Sequence, residues 1–145
     1  MKYCLIALFL IPIFLIGCTN PPEKPVAGAG LPACGLLPNC VNSQSGEGRK
    51  TYAPIPATAG QWQYLKHWLA SQSDWIVTTD SGNFVQAVAK TPLMHFSDDV
   101  QLLFVEDAQV IQVRSSSRLG IGDMGANRRR VKMLHLLITG KTTPD

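Results

Sequence analysis

A chain of 145 residues, 46% apolar and 16% charged, has room for one domain with core enough to fold alone, and its composition is that of a globular protein. The formal charge of +3 is unevenly spread: six basic side chains (Arg114, Arg118, Arg128, Arg129, Arg130, Lys132) stand close together in the sequence against one acid, Asp123. With the N-terminal leader and that basic stretch both set aside the remainder is mildly acidic, which argues against the broad basic face that nucleic-acid binding needs and points to a local anion site.

Met1-Lys2 is a short positive start, and Cys4 to Gly17 is an uncharged apolar run broken only by Pro12. It falls short of the ~20 residues that span a bilayer. Residues 1–17 therefore read as a secretory signal, to be excluded from the fold. The end of that run, Leu15-Ile16-Gly17-Cys18, resembles a bacterial lipoprotein box. The resemblance implies that Cys18 is acylated, with palmitate among the chains, and becomes the mature N-terminus. Thr19 stands where an aspartate would favour retention at the inner membrane, so the expected location is the cell envelope, on the periplasmic face of the outer membrane. Residues 18–33 then form a lipidated, proline- and glycine-rich tether. At ~3.1 Å per residue it could hold a domain up to ~45 Å from the lipid.

The domain itself is expected over residues 34–140, with a short tail at 141–145. Cys4 leaves with the signal and Cys18 carries lipid, so Cys34 and Cys40 remain as a pair in an oxidising compartment, and a disulfide is the natural outcome. Their spacing is too wide for a zinc knuckle, and His67, His95 and His135 are scattered, so no metal and no cofactor is expected. Ser43 to Pro56 has no period and reads as an irregular arm. Thr58 can cap a helix over 59–71 that places Trp62, Leu65, Trp68 and Leu69 on one face. Trp75–Thr79 and Phe84–Ala89 flank the turn Ser81-Gly82-Asn83 as a hairpin, with Leu93–Ser97 a further extension beyond Pro92. After Asp98-Asp99, Val100–Val105 and Gln109–Ser115 make a second hairpin. A last helix, starting near Asp123 or Asn127, turns Val131, Leu134, Leu137 and Ile138 inward. The expected fold is α+β and two-layered: an antiparallel sheet of about four strands with two helices packed on it.

Three motifs carry a further resemblance. Pro38-Asn39-Cys40-Val41-Asn42-Ser43, Phe96-Ser97-Asp98-Asp99-Val100, and Val113-Arg114-Ser115-Ser116-Ser117-Arg118 leading to Gly125-Ala126-Asn127-Arg128-Arg129-Arg130-Val131 resemble the family catalogued as domain of unknown function 1499. The likeness spans roughly residues 34–138. It implies a fold and an exported, often lipidated form, and supplies no reaction.

Gly120-Ile121-Gly122-Asp123-Met124-Gly125 fits the spacing of a dinucleotide loop, yet the helix after it is followed by too little chain for a second parallel strand. Turn glycines, with Asp123 capping the helix, are the simpler reading. Neighbouring strand residues face opposite sides, so only one of Asp98 and Asp99 can point into a given pocket. Asp98, Asp99 and Asp123 are the candidate arginine partners. The candidate anion-binding residues are Arg114, Arg118, Asn127, Arg128, Arg129 and Arg130, working with the amides at the start of the last helix. The expected function is thus a membrane-anchored envelope lipoprotein, without catalysis, that binds an anionic small molecule, a lipid headgroup or an envelope protein. The alternatives are a small hydrolase-type enzyme using Asp98 or Asp99 with Arg114 and Arg118, and a purely structural envelope protein.

Overall fold

The structure, a computed structural model, describes residues 30–91 and 96–141. The expected signal peptide, Cys18, most of the tether, His95, the start of the Leu93–Ser97 extension and all of the tail beyond Lys141 lie outside the described residues. The chain forms β1 (Cys40–Asn42), a single 3-10 turn (Gly48–Lys50), β2 (Ile55–Pro56), α1 (Ala59–Ser71), β3 (Trp75–Asp80), β4 (Phe84–Lys90), β5 (Ser97–Val105), β6 (Val110–Ser117) and α2 (Ala126–Thr139). The strands make one antiparallel sheet in the order β1-β6-β5-β4-β3, with β2 also paired to β6.

The α+β class holds, and the sheet has six strands where about four are expected. The additional two come from the N-terminal arm. They lie along one side of β6, β1 opposite Arg114–Ser116 and β2 opposite Val110–Ile111. Strands of three and two residues, one ending in a proline, are too short to show an alternating pattern. The long strand β5 starts at Ser97, before the expected Val100, and so takes in Asp98 and Asp99.

The first helix begins where a capping box fixes it. Thr58 Oγ1 accepts from the Gln61 amide at 3.3 Å, and Gln61 Oε1 accepts from the Thr58 amide at 2.8 Å. Trp62, Leu65 and Leu69 then point into the core. Helix α2 adds Val131, Leu134 and Ile138, and the sheet supplies Val85, Ala87, Ala89, Val100, Leu102, Phe104, Ile111 and Val113 from alternate positions. Both helices thus cover the same face, and burying each large aliphatic side chain there contributes ~1.5–3 kcal/mol. Gln61 Nε2 donates to the Ile138 carbonyl at 2.8 Å, which ties the start of α1 to the end of α2.

The other face of the sheet carries a polar row. Gln86, Gln101, Arg114 and Asn42 stand opposite one another across β4, β5, β6 and β1, and all are buried. Asn42 Nδ2 donates to the Pro32 carbonyl at 2.7 Å, and its Oδ1 accepts from the Gln44 amide at 2.8 Å. The expected Cys34–Cys40 disulfide is present, with Cα atoms 5.7 Å apart, and anchors the entering chain to β1.

Candidate functional site

The end of the sheet formed by the start of β5 and the end of β6 meets the N-terminus of α2. Pairing sets Asp98 opposite Ser117 and Asp99 opposite Ser116. The strand's alternation then sends the two carboxylates to opposite faces. Asp99 receives a bidentate pair of bonds from Arg118, Nε and Nη2 each at 2.8 Å. Those hydrogen bonds hold the Arg118 proton more tightly and raise its pKa. Asp98, on the helix side, receives Arg130 Nη2 at 2.6 Å.

Asn127 joins these parts. Its Nδ2 donates to the Asn39 carbonyl at 3.0 Å, Ser117 Oγ at 2.9 Å and Asp123 Oδ2 at 2.7 Å. Its Oδ1 accepts from Ser115 Oγ at 2.6 Å and from Arg130 Nη1 at 2.9 Å. One fully buried amide thereby ties the segment before β1, the last turn of β6 and the start of α2.

The N-cap of α2 is Gly125 and not the expected Asp123, which instead reaches the helix start from two residues earlier, accepting from the Gly125 amide at 2.9 Å and the Asn127 amide at 2.8 Å. Gly125 itself has φ +79, a left-handed conformation that suits a residue without a Cβ. Burial pushes the Asp123 carboxyl pKa up, but the backbone amides of Asn127 and Gly125, with the Asn127 side chain, outweigh it and leave the group below its ordinary value. Its stabilising contribution is therefore complete above the unfolded pKa of about 3.9 and is lost as pH falls through the lower folded value. Asp123→Asn is expected to cost ~1 kcal/mol at neutral pH. It is also expected to flatten the acid limb of stability against pH below about pH 4, as read from urea midpoints.

The arginine cluster divides. Arg118 and Arg130 are engaged by carboxylates. Arg129 Nη1 donates to the Met124 carbonyl at 2.8 Å. Arg114 points to the polar row on the far face, is only 8% exposed, and has no hydrogen-bond partner at Nε or Nη1 among the described residues. Burial lowers its pKa, with the charge of Asp99 opposing the shift. Arg128 lies over the Tyr52 ring at 5.5 Å and donates to the Thr51 carbonyl at 2.9 Å.

Arg128 also lines a hollow of about 670 Å³ between the 3-10 turn and the start of α2, facing Arg49 and Lys50. Both residues belong to the segment expected as an irregular arm, Ser43 to Pro56. Their only signal is adjacency, Arg49-Lys50, and nothing local shows that β1 and β2 fold the arm back against α2. Among the described residues, none of Arg49, Lys50 and Arg128 forms an ion pair with a carboxylate. Lys50 Nζ instead donates to the Gly35 and Leu36 carbonyls at 2.7 and 2.9 Å. Asp123 also lines the hollow, with its oxygens occupied by the Gly125 and Asn127 amides. No group of three or more metal-ligating side chains occurs among the described residues, and no helix among them is long and apolar enough to cross a membrane.

With this geometry in view, comparison with known families gives one match, to the model described as protein of unknown function (DUF1499), over residues 30–138. The chain belongs to the DUF1499 family. The DUF1499 match takes in the disulfide, every strand, the Asn127 network and the hollow at Arg128, so the whole site sits within the family's domain. No curated protein and no solved structure matches the chain.

Proposed function

We propose that this DUF1499 chain is a lipid-tethered envelope domain that binds an anionic group, a phosphate or carboxylate, in the hollow bounded by Arg49, Lys50 and Arg128. The observation that carries the reading is the convergence of these three cations, drawn from two distant segments, on one concavity. Among the described residues none of them is ion-paired, and the single lining carboxylate, Asp123, is engaged by backbone amides. The first turn of α2 borders the same space and adds the positive end of the helix dipole. The Arg118–Asp99 and Arg130–Asp98 pairs hold the surrounding walls, and Asp98 and Asp99 face opposite sides of the sheet, so no proton-transfer role is placed on either. Membrane attachment rests on the Leu15–Cys18 lipoprotein box.

The test is a calorimetric titration of the full chain in neutral detergent micelles with inorganic phosphate, and separately with short-chain phosphatidylglycerol. Saturable binding that weakens at high salt supports the reading, and the stronger of the two titrants distinguishes a free anion from a lipid headgroup. Arg49→Glu and Arg128→Glu are each expected to weaken binding at least tenfold, because each reverses a charge at the rim. Unchanged affinity in both variants would overturn it. Cys18→Ser is expected to move the chain out of the membrane fraction while leaving the binding constant intact.

A further inference from the structure

Two short loops border the basic hollow, and both carry exposed aliphatic side chains. The disulfide loop between Cys34 and Cys40 presents Leu36 at 99% exposure and Leu37 at 46%. The loop from β6 to α2 presents Ile121 at 74% and Met124 at 94%. Pro38 of the first loop and Gly122 to Gly125 of the second line the hollow itself. Asn39 Nδ2 donates to the Gly120 carbonyl at 3.0 Å, so the two loops lie side by side.

Cations at this end of the domain hold both loops. Lys50 Nζ donates to the Gly35 and Leu36 carbonyls, and Arg129 Nη1 to the Met124 carbonyl. Met124 sits at φ +48, a left-handed conformation unfavourable for a residue with a Cβ. Its side chain stands in water and adds nothing to the core, so the strain serves no packing. Leu36 and Met124 barely touch their own protein and project as separate tips. A protein partner would be better served by a packed patch rich in aromatic side chains. Aliphatic tips around a cationic hollow suit a fluid surface that closes around each of them, with anionic headgroups against the cations.

We infer that this end of the domain docks on an anionic lipid bilayer. A headgroup phosphate enters the hollow at Arg49, Lys50 and Arg128, while Leu36, Ile121 and Met124 enter the boundary between headgroups and acyl chains. This docking rests on the anion reading of the hollow, and makes the bilayer the source of the anion. The proposed lipid at Cys18 keeps the domain within a tether length of up to ~45 Å from such a surface, which raises the frequency of encounter.

The full chain, carrying ¹³C-methyl isoleucine and methionine, is reconstituted in lipid nanodiscs of phosphatidylcholine alone, or with phosphatidylglycerol at roughly three to one. A trace lipid bears a nitroxide near the top of its acyl chain. Ile76 is the internal control: it is 48% exposed, on β3 at the opposite edge of the sheet from β1. In the anionic discs the Ile121 and Met124 methyl signals are expected to relax faster than that of Ile76. The enhancement at Ile121 is expected to fall about fivefold or more in the neutral discs, the effect of one basic side chain losing its anionic headgroups. Leu36→Ser with Ile121→Ser, both at exposed positions outside the core, is expected to cut the enhancement at Met124 by about fivefold or more. Equal enhancement at Ile121 and Ile76, or equal enhancement in the two kinds of disc, would overturn the docking. Phosphate binding in micelles would then leave the anion reading standing, whereas loss of phosphate binding removes both. A change at Ile121 that follows protein concentration in neutral detergent micelles would assign the face to a second copy of the chain, and would also overturn the docking.

Discussion

Arg130→Met is expected to destabilise the fold by about 3–5 kcal/mol, because it strands the buried Asp98 carboxylate without its counter-charge. The Asp98 side chain is 1% exposed and that of Arg130 10%, so solvent cannot replace the lost partner. The same substitution removes the donors to Ser115 Oγ and Asn127 Oδ1. Against a total stability of roughly 5–15 kcal/mol, such a loss is a large fraction of what a small domain has. The double variant Asp98→Leu with Arg130→Met is expected to recover much of it, since a well-packed apolar pair avoids the cost of desolvating two charges. Urea unfolding at neutral pH of the wild type and the single and double variants gives the coupling directly. A loss below 1 kcal/mol in Arg130→Met would mean that Asp98 finds water, and the pair would then be ornamental.

The second large effect is expected at Asn127. Asn127→Ala removes partners from the Asn39 carbonyl, Ser117, Asp123, Ser115 and Arg130 at once, and leaves a void at a position with no exposure. Each buried group left unsatisfied costs ~1–3 kcal/mol, so a total of about 3–5 kcal/mol is expected after relaxation. Asn127→Asp tests the direction of these bonds. It is nearly isosteric, but it turns a donating nitrogen into an acceptor facing Asp123 Oδ2 and the Asn39 carbonyl. It is expected to be at least as damaging as alanine at neutral pH. It should also regain part of its stability on acidification, as the added carboxyl protonates; equal stability of Asn127→Asp and wild type at neutral pH would contradict the network.

Much of the architecture was legible because its signals are local. Thr58 with Gln61 marks the start of α1, and the spacing of Trp62, Leu65 and Leu69 marks its buried face. The turn at Gly82 and the alternation in β4 through β6 describe the meander. The pairing of Cys34 with Cys40 followed from a count of the remaining thiols. What was not legible depends on distant chain. That Asp98 meets Arg130 and Asp99 meets Arg118 is decided by strand register and by where α2 docks. Asn127, by sequence a candidate ligand contact, spends its amide on holding three chain segments. Arg49 and Lys50 carry no local signal beyond their adjacency. They face Arg128 only because two strands too short to show a pattern bind the arm to β6.

That arm sets the order in which the molecule can be completed. Cys40–Asn42 has no sheet partner until Arg114–Ser116 exists, and the Asn39 carbonyl waits for Asn127, 88 positions later. The central hairpins, by contrast, join near neighbours and can form early. A chain emerging N-terminus first would therefore carry its leading segment unmatched until almost its last residues are out. Final closure is thus a late, all-at-once event, in which the first and last parts of the domain recognise each other.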